Sequence, residues 1–139
     1  MAAYNKFQQF TKDLIDGVHD FDGHAFKVAL TNTAPVNTNT VLANITQIAN
    51  GNGYTTGGTA TTISTSTATG TAKVTGTDVV FTASGSMGPF RYAVLYNDTP
   101  TSPADPLIGW WDYGSSITLA AAETFTVDFD ATNGILTIA

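Results

Sequence analysis

Between Gly88 and Gly114 the chain reads GPFRYAVLYNDTPTSPADPLIGWWDYG, two alternating runs separated by a Pro-rich stretch. In the first run Phe90, Tyr92, Val94 and Tyr96 fall on one face of an extended strand, and Arg91, Ala93 and Leu95 on the other. In the second, Leu107, Trp111 and Tyr113 alternate against Ile108, Trp110 and Asp112. A strand pair that is apolar on both faces is central, or is covered on one side by its own core and on the other by a helix or a partner. Trp110 and Trp111 then point to opposite sides, one filling the core and the other meeting a helix or a neighbouring molecule. Arg91, the chain's only arginine, finds its natural partner in Asp112 if the two strands pair. Arg91, Tyr92, Trp110, Trp111 and Tyr113 are therefore the packing or interface anchors to look for here. Asn97 to Pro106 is an exposed loop, because its three prolines cannot donate to a sheet ladder.

The remainder of the 139-residue chain is largely Thr, Gly, Ala and Asn, and a β-branched, Lys-poor and Glu-poor composition leans toward strand. Only the N-terminus carries a helical period. Tyr4, Phe7, Phe10, Leu14, Val18 and Phe21 recur at intervals of three and four, which predicts an amphipathic helix over about residues 4–17, with Asn5 and Gln8 as a capping arrangement and Gly17 as the stop. Phe7, Phe10 and Leu14 on its apolar stripe pack on the chain's own β domain or dock into a neighbouring subunit. AFKVALTN (25–32) is a strand with Phe26, Val28 and Leu30 on one face, and TVLANITQIA suits a short helix or a turn. Residues 59–83 divide into three Thr-rich strands broken at Gly70 and near Gly76 to Asp78; in TFTVDFD, Phe125, Val127 and Phe129 point inward. The count is about eight or nine short strands with no βαβ alternation, which points to an all-β fold: an antiparallel β-sandwich behind one N-terminal amphipathic helix, in a single domain spanning 1–139. A jelly roll is one natural form of it.

Composition removes several functions. The net charge is −6, and the five basic residues, Lys6, Lys12, Lys27, Lys73 and Arg91, form no cluster that would neutralise several phosphates, so no nucleic acid is expected as a partner. Without cysteine there are no disulfides and no thiolate metal sites or nucleophiles. No segment approaches the roughly 20 apolar residues of a bilayer-spanning helix, and no membrane partner is expected; the N-terminus lacks the apolar run of a signal peptide. His19 and His24 read as solvated turn residues, and Asp20, Asp22 and Gly23 begin like a calcium loop but lack its later ligands. The Gly-x-Gly of NGNGYTTGG lacks the glycine spacing of a phosphate-binding turn. Asp128 and Asp130 share a strand face and could form a carboxylate pair, but the chain spares few residues to wall a cleft around them. The expectation is no enzyme, no cofactor and no metal.

The opening AAYNKF, the run KVALTNTAPV, the loop GNGYTTGG, and above all GPFRYAVLYND, PLIGWWDYG and TFTVDFD resemble a family of small virion proteins of tailed bacteriophages, over nearly the whole chain. The resemblance implies a structural particle component made in the host bacterial cytoplasm. The role adopted is that of a capsid cement, or decoration, protein that binds the major capsid protein on the capsid surface and self-associates as a dimer or trimer. The N-terminal helix or the Asn97–Pro106 loop is then the shell contact. A tail, collar or fibre component shares the same composition, and a carbohydrate-binding sandwich module with Trp110 or Trp111 as its stacking platform is the alternative from a different class.

Overall fold

A computed structural model describes residues 2–139. Ten strands, one α-helix and a 3₁₀ turn follow the order β1 (Asn5–Lys6), α1 (Gln8–Ile15), β2 (Phe26–Thr31), the turn Leu42–Asn44, β3 (Thr59–Thr61), β4 (Ile63–Ala68), β5 (Thr71–Gly76), β6 (Val79–Thr82), β7 (Met87–Asn97), β8 (Leu107–Leu119), β9 (Thr124–Val127) and β10 (Leu136–Ile138). Every pairing is antiparallel. The sheets run β1-β8-β7-β2-β3, β10-β5-β4 and β6-β9, an all-β sandwich-like arrangement with one helix near the N-terminus.

The aromatic block forms the centre of the largest sheet, as its two apolar faces require: β7 lies between β8 and β2. Phe26, Val28 and Leu30 of β2, with Ala93 and Leu95 of β7 and Ile108 of β8, pack on one face against Val79, Phe81, Val127, Phe129 and Ile135 of the opposing layer. Ala29, Val94, Tyr96 and Leu107 look to the other face, which Phe7 and Ile45 cover with help from Leu42 and Trp110. Strict alternation fails at two places. Phe90 belongs to the main core rather than to the face of Val94 and Tyr96, and Leu107 sits with Trp110 rather than with Trp111. The β7–β8 register has three irregularities, and the two between Phe90 and Tyr92 and between Leu95 and Tyr96 shift the phase of these side chains.

The N-terminal helix is shorter than its period suggests. Asn5 and Lys6 pair with Trp110 and Gly109 as an edge strand, and the Phe7 N–H continues the ladder to the Ile108 carbonyl at 3.2 Å. Asn5 is therefore no cap; its amide reaches back to the Ala3 carbonyl and across to Trp110. The helix begins at Gln8, whose N–H is satisfied by the Asn37 carbonyl at 2.9 Å, and it ends where Gly17 turns to φ +76°. Phe10 is buried and Leu14 half-buried against the domain's own core, whereas Ile15 is 80% exposed. Phe7 and Phe10 thus straddle the sheet, one on each face.

Residues 59–83 contain four strands, not three. Gly70 and the Gly76–Asp78 stretch break the chain as expected, but a further break at Thr62 lets it leave the large sheet as β3 and enter the next as β4. Thr62 exchanges backbone hydrogen-bonding with Thr77, whose hydroxyl accepts the Thr62 N–H at 3.0 Å. Phe125 and Val127 point inward, but β9 ends at Val127 because the Asp78 carboxylate takes the Phe129 N–H out of the ladder.

Because the second face of the sheet is sealed by so few side chains, Phe7→Ala should cost about 3–5 kcal/mol, read as a lower urea midpoint. Gly109→Ala tests the same segment from the strand side. A Cβ there would lie 2.2 Å from the Tyr4 ring and 2.8 Å from the Asn5 carbonyl oxygen, so β1 must detach, and amide exchange at Asn5 to Phe7 should accelerate in this variant.

Candidate functional site

Trp111 lines a groove of about 240 Å³ on the main-core side of the β7–β8 pair, together with Ala93, Tyr113, Phe125, Arg91 and Asp128. The aromatic side chains hold one another at defined angles. Trp111 meets Phe129 edge-on at 5.4 Å and Tyr4 at 5.6 Å, while Tyr113 meets Phe125 edge-on at 5.5 Å. Tyr113 remains 54% exposed, the most open large aromatic of the chain. On the opposite side of the sheet Trp110 packs on Phe7 at 4.6 Å, so the two indoles do separate by face. Trp110 belongs to the fold and Trp111 to the groove.

Arg91 is bonded to Asp112 through both ends of its fork, Nε to Oδ1 at 2.7 Å and Nη2 to Oδ2 at 2.9 Å, and lies 5.4 Å over the Tyr92 ring. The guanidinium and the Gly114 N–H together hold the Asp112 carboxyl below the usual carboxylate range. With its charge matched in this way, Arg91 offers the groove a planar donor edge rather than a free cation. The groove is suited to a flat or apolar group with polar substituents at its edge.

A second cluster lies where the helix returns to the sheet. Asn97, expected at the exposed start of the loop, is instead fully buried at the end of β7, and His19, expected in solvent, is only 6% exposed. The Asn97 amide nitrogen lies 3.2 Å from His19 Nδ1 and 2.9 Å from His24 Nδ1, and its oxygen accepts the Thr99 N–H. His24 Nδ1 also accepts the Asp20 N–H, which makes it an acceptor and Asn97 the donor. His19 is sandwiched among aromatics, 5.3 Å from Phe10 and 6.0 Å from Phe21. Burial pushes its pKa down to about 4, partly opposed by the Asp13 carboxylate. Asp13 is itself a buried acid within the helix, bonded to Gln9 at 2.9 Å. Residue types and spacing gave no sign of this cluster; the one usable signal was an Asn at the end of an otherwise apolar strand.

The other polar residues serve turns. Asp20 accepts the N–H groups of Asp22 and Gly23, and Asp130 accepts those of Thr132 and Asn133 together with the Asn133 side chain, which lowers its pKa. Asp130 is thereby committed to the turn, and Asp128 alone of the two lines the groove. Among the described residues no group of three or more His, Asp or Glu is gathered as a metal site. Among the described residues no helix is long and apolar enough to cross a membrane.

His19 gives the fold an acid-sensitive latch. Its folded-state pKa of about 4 lies below the ordinary value of 6.5, so the unfolded chain binds the proton more readily. The stability that comes from keeping it neutral is present above pH 6.5 and is lost as pH falls toward 4, by up to about 3 kcal/mol. His19→Gln, which can still accept from Asn97 but does not titrate, should flatten melting temperature against pH over that window.

Comparison with protein-family models, curated proteins and solved structures returned no match, so a functional reading rests on the residues and their geometry.

Proposed function

We propose that the protein is a structural component of a tailed-bacteriophage particle, a capsid cement protein that self-associates and binds the major capsid protein on the shell surface. The resemblance of GPFRYAVLYND, PLIGWWDYG and TFTVDFD to small phage virion proteins supplies the class. The observation that carries the role is the kind of surface the fold leaves outside. From Val28 to Ala72 there is no Asp, Glu, Lys, Arg or His, yet this stretch is ordered into β2, β3, β4 and hydrogen-bonded loops. Gln47 holds the loop through Tyr54 Oη at 2.6 Å and the Gly57 N–H at 2.7 Å, and Asn44 holds the N–H groups of Thr40 and Val41. A rigid, hydroxyl-rich and uncharged surface can be pressed against another protein without stripping water from an ion, and charged residues are depleted at the centres of protein interfaces for that reason.

Many copies on a shell, each touching several subunits, would convert modest contacts into firm attachment through effective concentration. The loop after β7 is suited to such a contact. It is latched by Asp98 N–H to the Ala25 carbonyl and by Leu107 N–H to the Thr40 carbonyl, so its exposed tip at Thr101 to Ala104 loses little freedom on binding. The helix offers only Ile15 at its outer end, its apolar stripe being spent on the domain itself. Deleting residues 1–17 would therefore remove core as well as any contact surface, and loop and Ile15 substitutions are the cleaner probes.

Purified protein should co-sediment with empty capsid shells, and particles carrying it should release DNA at a higher temperature than particles lacking it. In whole virions its copy number should be comparable with that of the shell subunit; a small fraction of that number, located at the tail by cryo-microscopy, would instead establish the tail, collar or fibre role. One observation favours a second reading, a carbohydrate-binding module: the groove pairs Trp111 and the exposed Tyr113 with the polar groups of Arg91 and Asp128. Under that reading a glycan array gives hits that Trp111→Ala abolishes and Trp110→Phe retains.

A further inference from the structure

The β10-β5-β4 sheet ends in β4, whose outer backbone edge pairs with no strand among the described residues. Open edges are ordinarily shortened, charged, bulged or interrupted by proline, because a row of unpaired N–H and C=O groups is a template for another chain. The other sheet-terminal strands here are short: β1 has two residues, β3 and β10 three each, and β6 and β9 four each. β4 has six, and it pairs with β5 from Ile63↔Gly76 to Ala68↔Thr71 without a register shift. Its sequence, ISTSTA, contains no charge and no proline, and every side chain after the half-buried Ile63 is exposed. None of the usual protections is present.

We infer that β4 is a dimerisation edge, pairing antiparallel with β4 of a second copy of this chain about a two-fold axis perpendicular to the sheet. This axis sets each face of the strand against its own equivalent: centred on Thr65, it pairs Thr65 with Thr65 and Ile63 with Thr67 on one face, and Ser64 with Ser66 on the other. The strand is self-complementary in that arrangement. At Thr65–Thr65 and Ser64–Ser66 hydroxyl faces hydroxyl, and Ser and Thr pairs across antiparallel strands attract rather than repel.

Charge selects a second copy as the occupant. Two molecules of net charge −6 repel unless they meet where neither carries charge, and β4 lies within the uncharged Val28–Ala72 stretch. The nearest charge in the strand behind it, Lys73 of β5, is engaged with the Thr132 carbonyl at 2.8 Å. Closure also limits the assembly. Once β4 is paired, the merged six-stranded sheet ends in β10 on both sides, and three residues offer little to a third copy. One strand pair per molecule makes a small interface, so the dimer is weak and concentration-dependent. The inference concerns the isolated protein and stands whether or not the particle assignment holds.

Sedimentation velocity on the purified full chain from about 1 μM to about 1 mM should show a monomer–dimer equilibrium, and T65E/T67E, which sets like charges face to face at exposed positions, should remain monomeric with an unchanged circular dichroism spectrum. The chain has no cysteine, so Thr65→Cys or Ser66→Cys introduces a single thiol close to the two-fold. Mild oxidation should give a covalent dimer from at least one of these and none from Tyr113→Cys. A wild type that stays monomeric throughout, a dimer that survives T65E/T67E, or a dimer in which neither β4 cysteine cross-links would each overturn the assignment.

Discussion

A five-stranded sheet that is apolar on both faces has to be sealed twice, and the second seal here is thin. The opposing strands and the residues after them bury the first face, but the second depends on Phe7, Ile45 and Leu42 lying over Ala29, Val94, Tyr96 and Leu107. Phe7 is the largest of the sealing side chains and is completely buried. Its position follows from the two-residue strand before it, which is why a helix whose period begins at Tyr4 starts only at Gln8. Backbone hydrogen bonds to Trp110, Gly109 and Ile108 prevail over the local helical preference, and the edge strand they form carries Phe7 into its fully buried place.

Much of this was legible in the residues. Alternation through FRYAVLY and LIGWWDY identified a central strand pair with its tryptophans on opposite sides, and Arg91 did find Asp112. What alternation cannot register is an irregularity in the ladder. Two of the three breaks in the β7–β8 pairing moved a side chain across the sheet, Phe90 into the main core and Leu107 to the side of Trp110. Counting by twos carries no information about where the count slips.

The same limit explains the histidines. His19 and His24 occur in a turn-like stretch of Asp and Gly, and only the return of that stretch against the end of β7 brings them to Asn97. The burial of Asn97 is a product of pairing, its N–H bound to the Pro106 carbonyl and its amide shared by both rings. The groove was half legible. Trp111 and Tyr113 were among the anchors named from the sequence, but Phe125 and Asp128 arrive from a strand and loop with no periodic link to them.

The β1–β8 contact joins segments made far apart in time as well as two strands. Tyr4 reaches the Ile108 carbonyl across 104 positions, and Asn5 reaches Trp110 across 105. On a ribosome this segment would emerge about a hundred residues before the strand that receives it. Until then Tyr4, Phe7 and Phe10 would be held in water or by a chaperone, and closure of the sheet would be a late, slow step, since contacts so distant in sequence carry the full entropy of loop closure. Tyr4, Phe7 and Phe10, made long before the strand they dock on, are thus among the last residues to fold.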